Sequence, residues 1–221
     1  MKLILASASP RRLELLSALG FEFEVAPSMI DEESFAGGRP EALVRRIARA
    51  KADDVASRRP EAVVLAADTI VVLRGEVLNK PRDAREARDM LGRLRDRWHR
   101  VITAVCVTSP RGRARVQHVV TRVRMRPYDP GEIEASIGRA DPFDKSGAYA
   151  IQDPHLAPVA SYEGCYCNVV GLPLWTSLGM LRVAGVTPEH DGSMPEACNA
   201  CLIKPIDAGS LMLARPQDPA P

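Results

Sequence analysis

Five cations and two carboxylates stand where charge is either costly or positioned. Ser7, Arg11 and Arg12 lie in the stretch Ala6-Ser7-Ala8-Ser9-Pro10-Arg11-Arg12, between a short apolar run from Lys2 to Ala6 and a helical leucine pattern, Leu13, Leu16 and Leu19. Ser9 suits an N-cap, Pro10 suits the first helical position, and Gly20 ends the pattern. Such a junction directs backbone N–H groups and the positive dipole end outward, towards an anion such as phosphate. A plain cap flanked by two solvated arginines fits the same spacing. Asp68 interrupts the apolar run Ala62 to Leu73, where a carboxylate must be hydrogen-bonded, paired or metal-bound. A strand-terminating Asp is the alternative there. Glu32 sits in the acidic turn Asp31-Glu32-Glu33. Lys51, Lys80 and Lys145 complete the set, with Gln152 as a neutral amide. Cations that neutralise phosphates, with carboxylates that hold a divalent metal and orient or deprotonate water, describe a polyphosphate site.

Lysine is scarce. Of 30 basic residues only Lys2, Lys51, Lys80, Lys145 and Lys204 are lysine, which draws attention to positions where a compact ammonium is kept. On the helix expected from Pro40 to Ser57, Leu43, Ile47, Lys51 and Val55 recur every four residues, so Lys51 falls on the apolar face. There it either snorkels along the core edge or reaches into a cleft.

The remaining pattern supplies the frame. Phe21 to Ala26 alternates as a strand, and Ala62 to Leu73 reads as a central strand that turns at Arg74-Gly75 into Glu76-Val77-Leu78. Asp83 and Glu86 have capping-box spacing before a helix with Ala87, Met90, Leu91 and Leu94 inward. Strands are expected from His99 to Thr108 and from Val116 to Met125, joined by a turn at Pro110 to Arg113. A helix starts at Asp129-Pro130-Gly131-Glu132. The small-residue turn from Asp144 to Gln152 enters a short strand, and Gly171-Leu172-Pro173 opens a last helix with Leu174, Leu178 and Leu181. From about Val186 the periodicity fails, so a domain over 1–185 is expected, with 186–221 a poorly ordered tail. Helices mixed with hairpins and βα units make this an α/β chain with a mixed twisted sheet.

Composition excludes several classes. The 221 residues carry a net charge of +2 and only 5% aromatics, which argues against a nucleic-acid binder that stacks bases along a basic stripe. No apolar run reaches the roughly 18 residues of a membrane span. The arginine pair falls where a signal peptide needs its apolar middle, so a cytoplasmic protein is expected. Five cysteines, an odd number, suit a reducing compartment. Cys165-x-Cys167 and Cys198-x-x-Cys201 could together offer four thiolates to zinc, but Cys-x-Cys is not a usual knuckle spacing. Thiols without metal are the favoured expectation. No Walker loop or G-x-G-x-x-G is present, so phosphate must be held by another scaffold.

The ordered set of motifs resembles the Maf family of nucleoside triphosphate pyrophosphatases. It comprises Leu5 to Arg12, Ala66-Ala67-Asp68-Thr69-Ile70-Val71, Lys80-Pro81, His99-Arg100-Val101-Ile102-Thr103, Lys145 to Gln152 and Asn168 to Pro173. The resemblance spans roughly residues 2 to 184. It implies two lobes around a deep cleft, as in inosine-triphosphatase-like folds, and metal-dependent hydrolysis of nucleoside triphosphates to monophosphate and pyrophosphate with Mg²⁺ or Mn²⁺. It also implies a homodimer. Asp68 matches the family's catalytic base, Ser7, Arg11, Arg12, Lys51 and Lys80 match phosphate-side positions, and Glu32 matches an acidic position; Asp68 and Glu32 are thereby the metal candidates. Arg11, Thr69 and Gln152 match the triple marking the dTTP- and UTP-preferring branch. A glutamine amide complements the N3–H and carbonyl edge of uracil or thymine, though it also suits a strand edge. A non-catalytic nucleotide-binding regulator of cell division is the alternative, and the presence of both carboxylates counts against it. Three departures stand out: Asp153-Pro154 follow Gln152 where the family has Gly, Arg95-Asp96-Arg97-Trp98 replace a Ser-Gly turn, and the loop 153–167 is unusual in its cysteines. Asp153 could join base selection or the metal site.

Overall fold

A computed structural model describes residues 1–110, 114–190, 192–198 and 201. One sheet runs through it in the order β2 (Glu24–Val25), β1 (Leu3–Leu5), β3 (Val63–Leu73), β5 (Trp98–Thr108), β6 (Ala114–Met125) and β7 (Val159–Glu163), with β4 (Glu76–Leu78) beside the far end of β3. β1 is parallel to β2 and β3; all other pairs are antiparallel. The sheet is therefore mixed, as the interleaved helix and hairpin signals require.

β3 is buried on both faces and its period of two sorts its side chains. Val64, Ala66, Ile70 and Val72 face α2 (Pro40–Arg58), which packs Val44, Ala48, Ala52 and Val55 against them. On the other face Val63, Leu65 and Ala67 join a cluster with Leu15 and Leu16 of α1 (Pro10–Ala18) and Leu174, Leu178 and Leu181 of α6 (Leu174–Val183). Val71 and Leu73 on that same face belong to a different cluster, with Ala87, Leu91 and Leu94 of α3 (Ala84–Leu94) and Ile133 of α4 (Pro130–Gly138). The row between the two clusters is Thr69, paired in register with Thr103 of β5. A polar seam thus divides one face of the sheet into two lobes, and the cleft lies along it.

Several expected elements differ in detail. Only Glu24–Val25 of the 21–26 run pairs as a strand. In α1 Leu15, Leu16 and Leu19 are buried while Leu13 is exposed, and Ser9 occupies the N-cap position without a side-chain cap bond. Asp83 caps α3 through the Glu86 N–H, but the Glu86 carboxylate accepts from the Arg82 N–H instead of closing the box. No strand runs through 149–152; a 3₁₀ turn, Ser146–Ala148, leads into further turns. Gly147 there has φ +70°, and an added Cβ would stand 2.9 Å from Val71 Cγ1, so only glycine fits. β7 and a short helix α5 (Tyr166–Val170) were not foreseen. The turn at Pro110 to Arg113 falls largely outside the described residues, as does most of the expected tail. Of that tail, Val186, Cys198 and Cys201 are buried in the α1–α6 cluster.

Candidate active site

A cleft of ≈ 1210 Å³ opens at the seam, and Ser7, Arg11, Arg12, Glu32, Lys51, Asp68, Thr69, Lys80, Lys145 and Gln152 all line it. Six regions of the chain converge there, and the first meets β3 because β1 and β3 are adjacent and parallel. The chain leaves β1 at the level of the middle of β3, which brings the start of α1 beside Asp68 and Thr69.

Asp68 and Thr69 point to opposite faces, and each meets a different partner. Asp68 faces α2, where Lys51 is one of seven buried residues on the helix stripe, so the apolar-face lysine reaches the cleft. Lys51 Nζ lies 2.7 Å from Asp68 Oδ1 and 2.8 Å from Glu32 Oε1. Lys51 and Asp68 are each 5% exposed, whereas Glu32 stands at the cleft rim on a 3₁₀ turn. Burial would raise the Glu32 carboxyl, but Lys51, Lys80 and Arg12 outweigh it and hold the group below the ordinary glutamate value.

Thr69 faces the seam. Arg12 Nη2 donates to its hydroxyl at 3.2 Å, Arg12 Nη1 donates to Ser7 Oγ at 3.3 Å, and Arg12 Nε donates to the Gly171 carbonyl at 2.9 Å. Gly171 ends α5 with φ +126°, a conformation that suits glycine and aims this carbonyl at the guanidinium. Burial draws Arg12 below the usual arginine value, against the pull of Asp68 and Glu32. The Thr103 hydroxyl donates to the Asn168 carbonyl at 2.8 Å, so Thr69 Oγ1, 2.9 Å from Thr103 Oγ1, donates to Thr103 while accepting from Arg12. Asn168 anchors this chain. Its Oδ1 accepts from Thr103 N, and its Nδ2 donates to Val101 O and Thr121 Oγ1.

The other lobe supplies Lys80, exposed beside Pro81, and Lys145. Lys145 Nζ contacts Asp144 Oδ1 at 2.5 Å and the Asp141 carbonyl, and Arg11 Nη1 reaches Asp144 Oδ2 at 3.3 Å. Burial would raise the Asp144 carboxyl, yet the two cations keep it low. Asp144 bridges the lobes, a role that sequence reasoning missed although its neighbour Lys145 was singled out. Asn168 and Thr103 were quoted only as motif members.

Asp153 does not join the site: its carboxylate accepts from His155 N and Leu156 N at 2.8 and 3.1 Å, and it is absent from the cleft wall. The Arg95–Trp98 departure has a physical account. Asp96 takes the left-handed conformation, φ +53°, and Arg124 holds its carbonyl and carboxylate at 2.6 Å each.

Among the described residues no group of three or more His, Cys, Asp or Glu is set to hold a metal by itself. Glu32 and Asp68 meet at one cation, Lys51. Mg²⁺ typically takes one or two carboxylates together with phosphate oxygens, so this donor set fits Mg²⁺ or Mn²⁺ arriving with a polyphosphate and does not fit a three-ligand catalytic zinc.

A mixed α/β sheet thus carries a carboxylate–lysine–carboxylate triad, with Lys51 and Asp68 buried and Glu32 at the rim, opposite an arginine anchored by three bonds, in a seam between two lobes. The family model described as "Maf-like protein" matches residues 2–184, and this chain belongs to the Maf family. It is 52% identical over 214 residues to the "dTTP/UTP pyrophosphatase" of Thermomicrobium roseum, covering 95% of this chain and 97% of that protein. It is 50% identical over 185 residues to the protein so named from Myxococcus xanthus, covering 83% and 93% of the two chains. Among solved structures, the Staphylococcus aureus Ham1 protein aligns with a TM-score of 0.43 and 14% identity over 57% of this chain and 73% of that one.

Proposed function

We propose that this chain hydrolyses dTTP and UTP, and modified pyrimidine triphosphates of the same base edge, to the monophosphate and pyrophosphate with Mg²⁺ or Mn²⁺. The observation that carries this is the triad Glu32–Lys51–Asp68 facing the Ser7–Arg12–Thr69 cluster across one cleft. Kinship with relatives named dTTP/UTP pyrophosphatase supports the substrate class.

In this reading Arg12, preset by three bonds to the protein, offers its two remaining N–H donors to phosphate oxygens. Lys80 and Lys145 approach the same chain of phosphates from the other lobe. Glu32 and Asp68 hold the metal, which supplies charge neutralisation on the phosphates. Asp68, held at 2.7 Å by Lys51, orients water and accepts its proton as the α-phosphorus–oxygen bond to the leaving pyrophosphate breaks. Gln152 reads the base edge from the cleft wall. A cytoplasmic homodimer goes with this reading, and light scattering of the purified protein tests the assembly.

Pyrophosphate release measured over a panel of nucleoside triphosphates decides the matter. The expected outcome is release from dTTP and UTP only when divalent metal is present, and its loss in Asp68→Asn with an unchanged circular dichroism spectrum. An undiminished rate in Asp68→Asn removes Asp68 as the base.

A further inference from the structure

Four of the five cysteines meet at one place outside the cleft. Cys165 and Cys167 flank the start of α5, and Cys198 and Cys201 come from the segment after α6; all four are buried. Cys167 Sγ lies 3.2 Å from Cys198 Sγ, Cys165 and Cys201 share a side-chain hydrogen bond, and all four thiols act on the hydroxyl of Tyr162 beside them. None of the cysteines is in a disulfide. Thiols are the sequence expectation because Cys-x-Cys is not a usual knuckle spacing and the second pair falls in the expected tail; the structure instead packs both cysteines of that pair into the core cluster.

We propose that Cys165, Cys167, Cys198 and Cys201 form a structural zinc site that pins the segment after α6 onto α5. Two sequence-remote pairs in contact provide the four sulfurs that a closed tetrahedral site takes. The first pair already shows a backbone feature of a thiolate site: Asn168 N–H donates to Cys165 Sγ at 3.4 Å. In the second pair Cys201 N–H donates to the Cys198 carbonyl at 3.3 Å, which holds the two cysteines together. A Zn–S bond of about 2.3 Å places tetrahedral sulfurs about 3.8 Å apart, whereas a disulfide needs about 2.05 Å. The 3.2 Å pair is nearer the first value. Among the described residues no three sulfurs are already set as metal ligands, and the 3.2 Å Cys167–Cys198 pair has to open towards about 3.8 Å by side-chain rotation when metal enters.

The need for a staple is visible in the segment itself. Among its described residues beyond α6 the segment forms only the 3₁₀ turn Glu196–Cys198, and it is tied back by bonds such as Glu189 N–H to Gly20 O at 2.9 Å. So little regular structure holds weakly without a cross-link. The staple also reaches the cleft. Cys167 O accepts from Gly171 N, and Gly171 O is the carbonyl that holds Arg12.

Protein expressed in zinc-supplemented medium and purified with reductant but without chelator is analysed by elemental mass spectrometry. The expected content is about one zinc per chain, released to a chromogenic chelator by about four equivalents of a mercurial. Cobalt in its place should give thiolate charge-transfer and intense tetrahedral d–d bands. Cys198→Ser with Cys201→Ser should lower the zinc content at least tenfold and speed proteolysis after α6, while Glu32→Gln with Asp68→Asn should retain the zinc. The wild-type spectrum and stoichiometry stand even where the cysteine variant does not fold. Wild-type protein with less than a tenth of a zinc per chain, its cysteines then all reduced or paired as disulfides by intact mass, overturns the proposal. So does zinc lost with the carboxylate variants and kept by the cysteine ones.

Discussion

Arg12 commits one N–H each from Nε, Nη1 and Nη2 to the protein, which fixes the plane of its guanidinium before any ligand arrives. A lysine at this position keeps the charge and loses the fork. Hydrogen bonds to charged groups contribute about 1.5–3 kcal/mol, so Arg12→Lys should lower kcat/KM by roughly 10- to 100-fold without unfolding the protein. An unchanged kcat/KM would show that charge alone suffices there. Gln152 stands at the cleft wall, exposed, in a turn and not in a strand, so its amide is turned to the cleft and not spent inside a sheet ladder. Gln152→Ala should therefore flatten the preference between pyrimidine and purine triphosphates more than it lowers the best rate. A panel in which all substrates fall equally would assign Gln152 to general binding. These residue types were legible in sequence because each is odd for its setting: a carboxylate in an apolar strand, a lysine on an apolar stripe. Asp144 and Asn168 were not, since a carboxylate in a turn and an amide near a helix start are ordinary until their partners are seen.

At the scale of elements, regular periodicity was readable and short irregular pieces were not. The alternation through β3 identified a central strand and, by parity, requires Asp68 and Thr69 to point apart. β7 shows Val-Ala-Ser-Tyr-Glu with most residues exposed, so it lacks the alternation that marks a half-buried strand. α5 has only five residues, and its N-cap is a cysteine whose sulfur accepts a backbone N–H, a cap no propensity scale favours. β5 positions a further group, His99, 4% exposed, whose Nε2 lies 2.6 Å from the Tyr149 hydroxyl while Nδ1 is buried without a partner. Burial lowers this imidazole to about 4 from an ordinary value near 6.5. The unfolded chain thus takes up the proton first as pH falls. Stability is full above pH 6.5, declines between 6.5 and 4, and loses about 3 kcal/mol from this one group. Chemical denaturation across that window should show a shallower decline in His99→Gln than in the wild type. Parallel declines would mean that other groups carry the acid sensitivity.

For the whole molecule, the two lobes share one sheet but have separate apolar clusters, and the seam of Thr69 and Thr103 is where they part. The sequence announced the lobes only through family resemblance. Nothing in the local pattern of β3 says that its first and last thirds serve different cores, because that division is made by helices far along the chain. The cleft gathers Arg11 and Arg12 from one side and Lys80 and Lys145 from the other, although the net charge is only +2. Asp144 is the anion between Arg11 and Lys145. A triphosphate with its metal brings a larger charge to both sides at once, so its binding should stiffen the molecule across the seam. A ligand at about 100 times its Kd adds about 2.7 kcal/mol, which for a chain of this size raises Tm by about 5–10 °C. Asp68→Asn, which should bind without turnover, is the form in which to measure this. Thermal unfolding with dTTP and Mg²⁺ should give a concentration-dependent rise that shrinks when Lys80 and Lys145 are replaced by alanine and vanishes when Arg12 is replaced as well. A rise insensitive to Lys80→Ala and Lys145→Ala would confine binding to the α1 side, and the second lobe would then serve the base or the product rather than the phosphates.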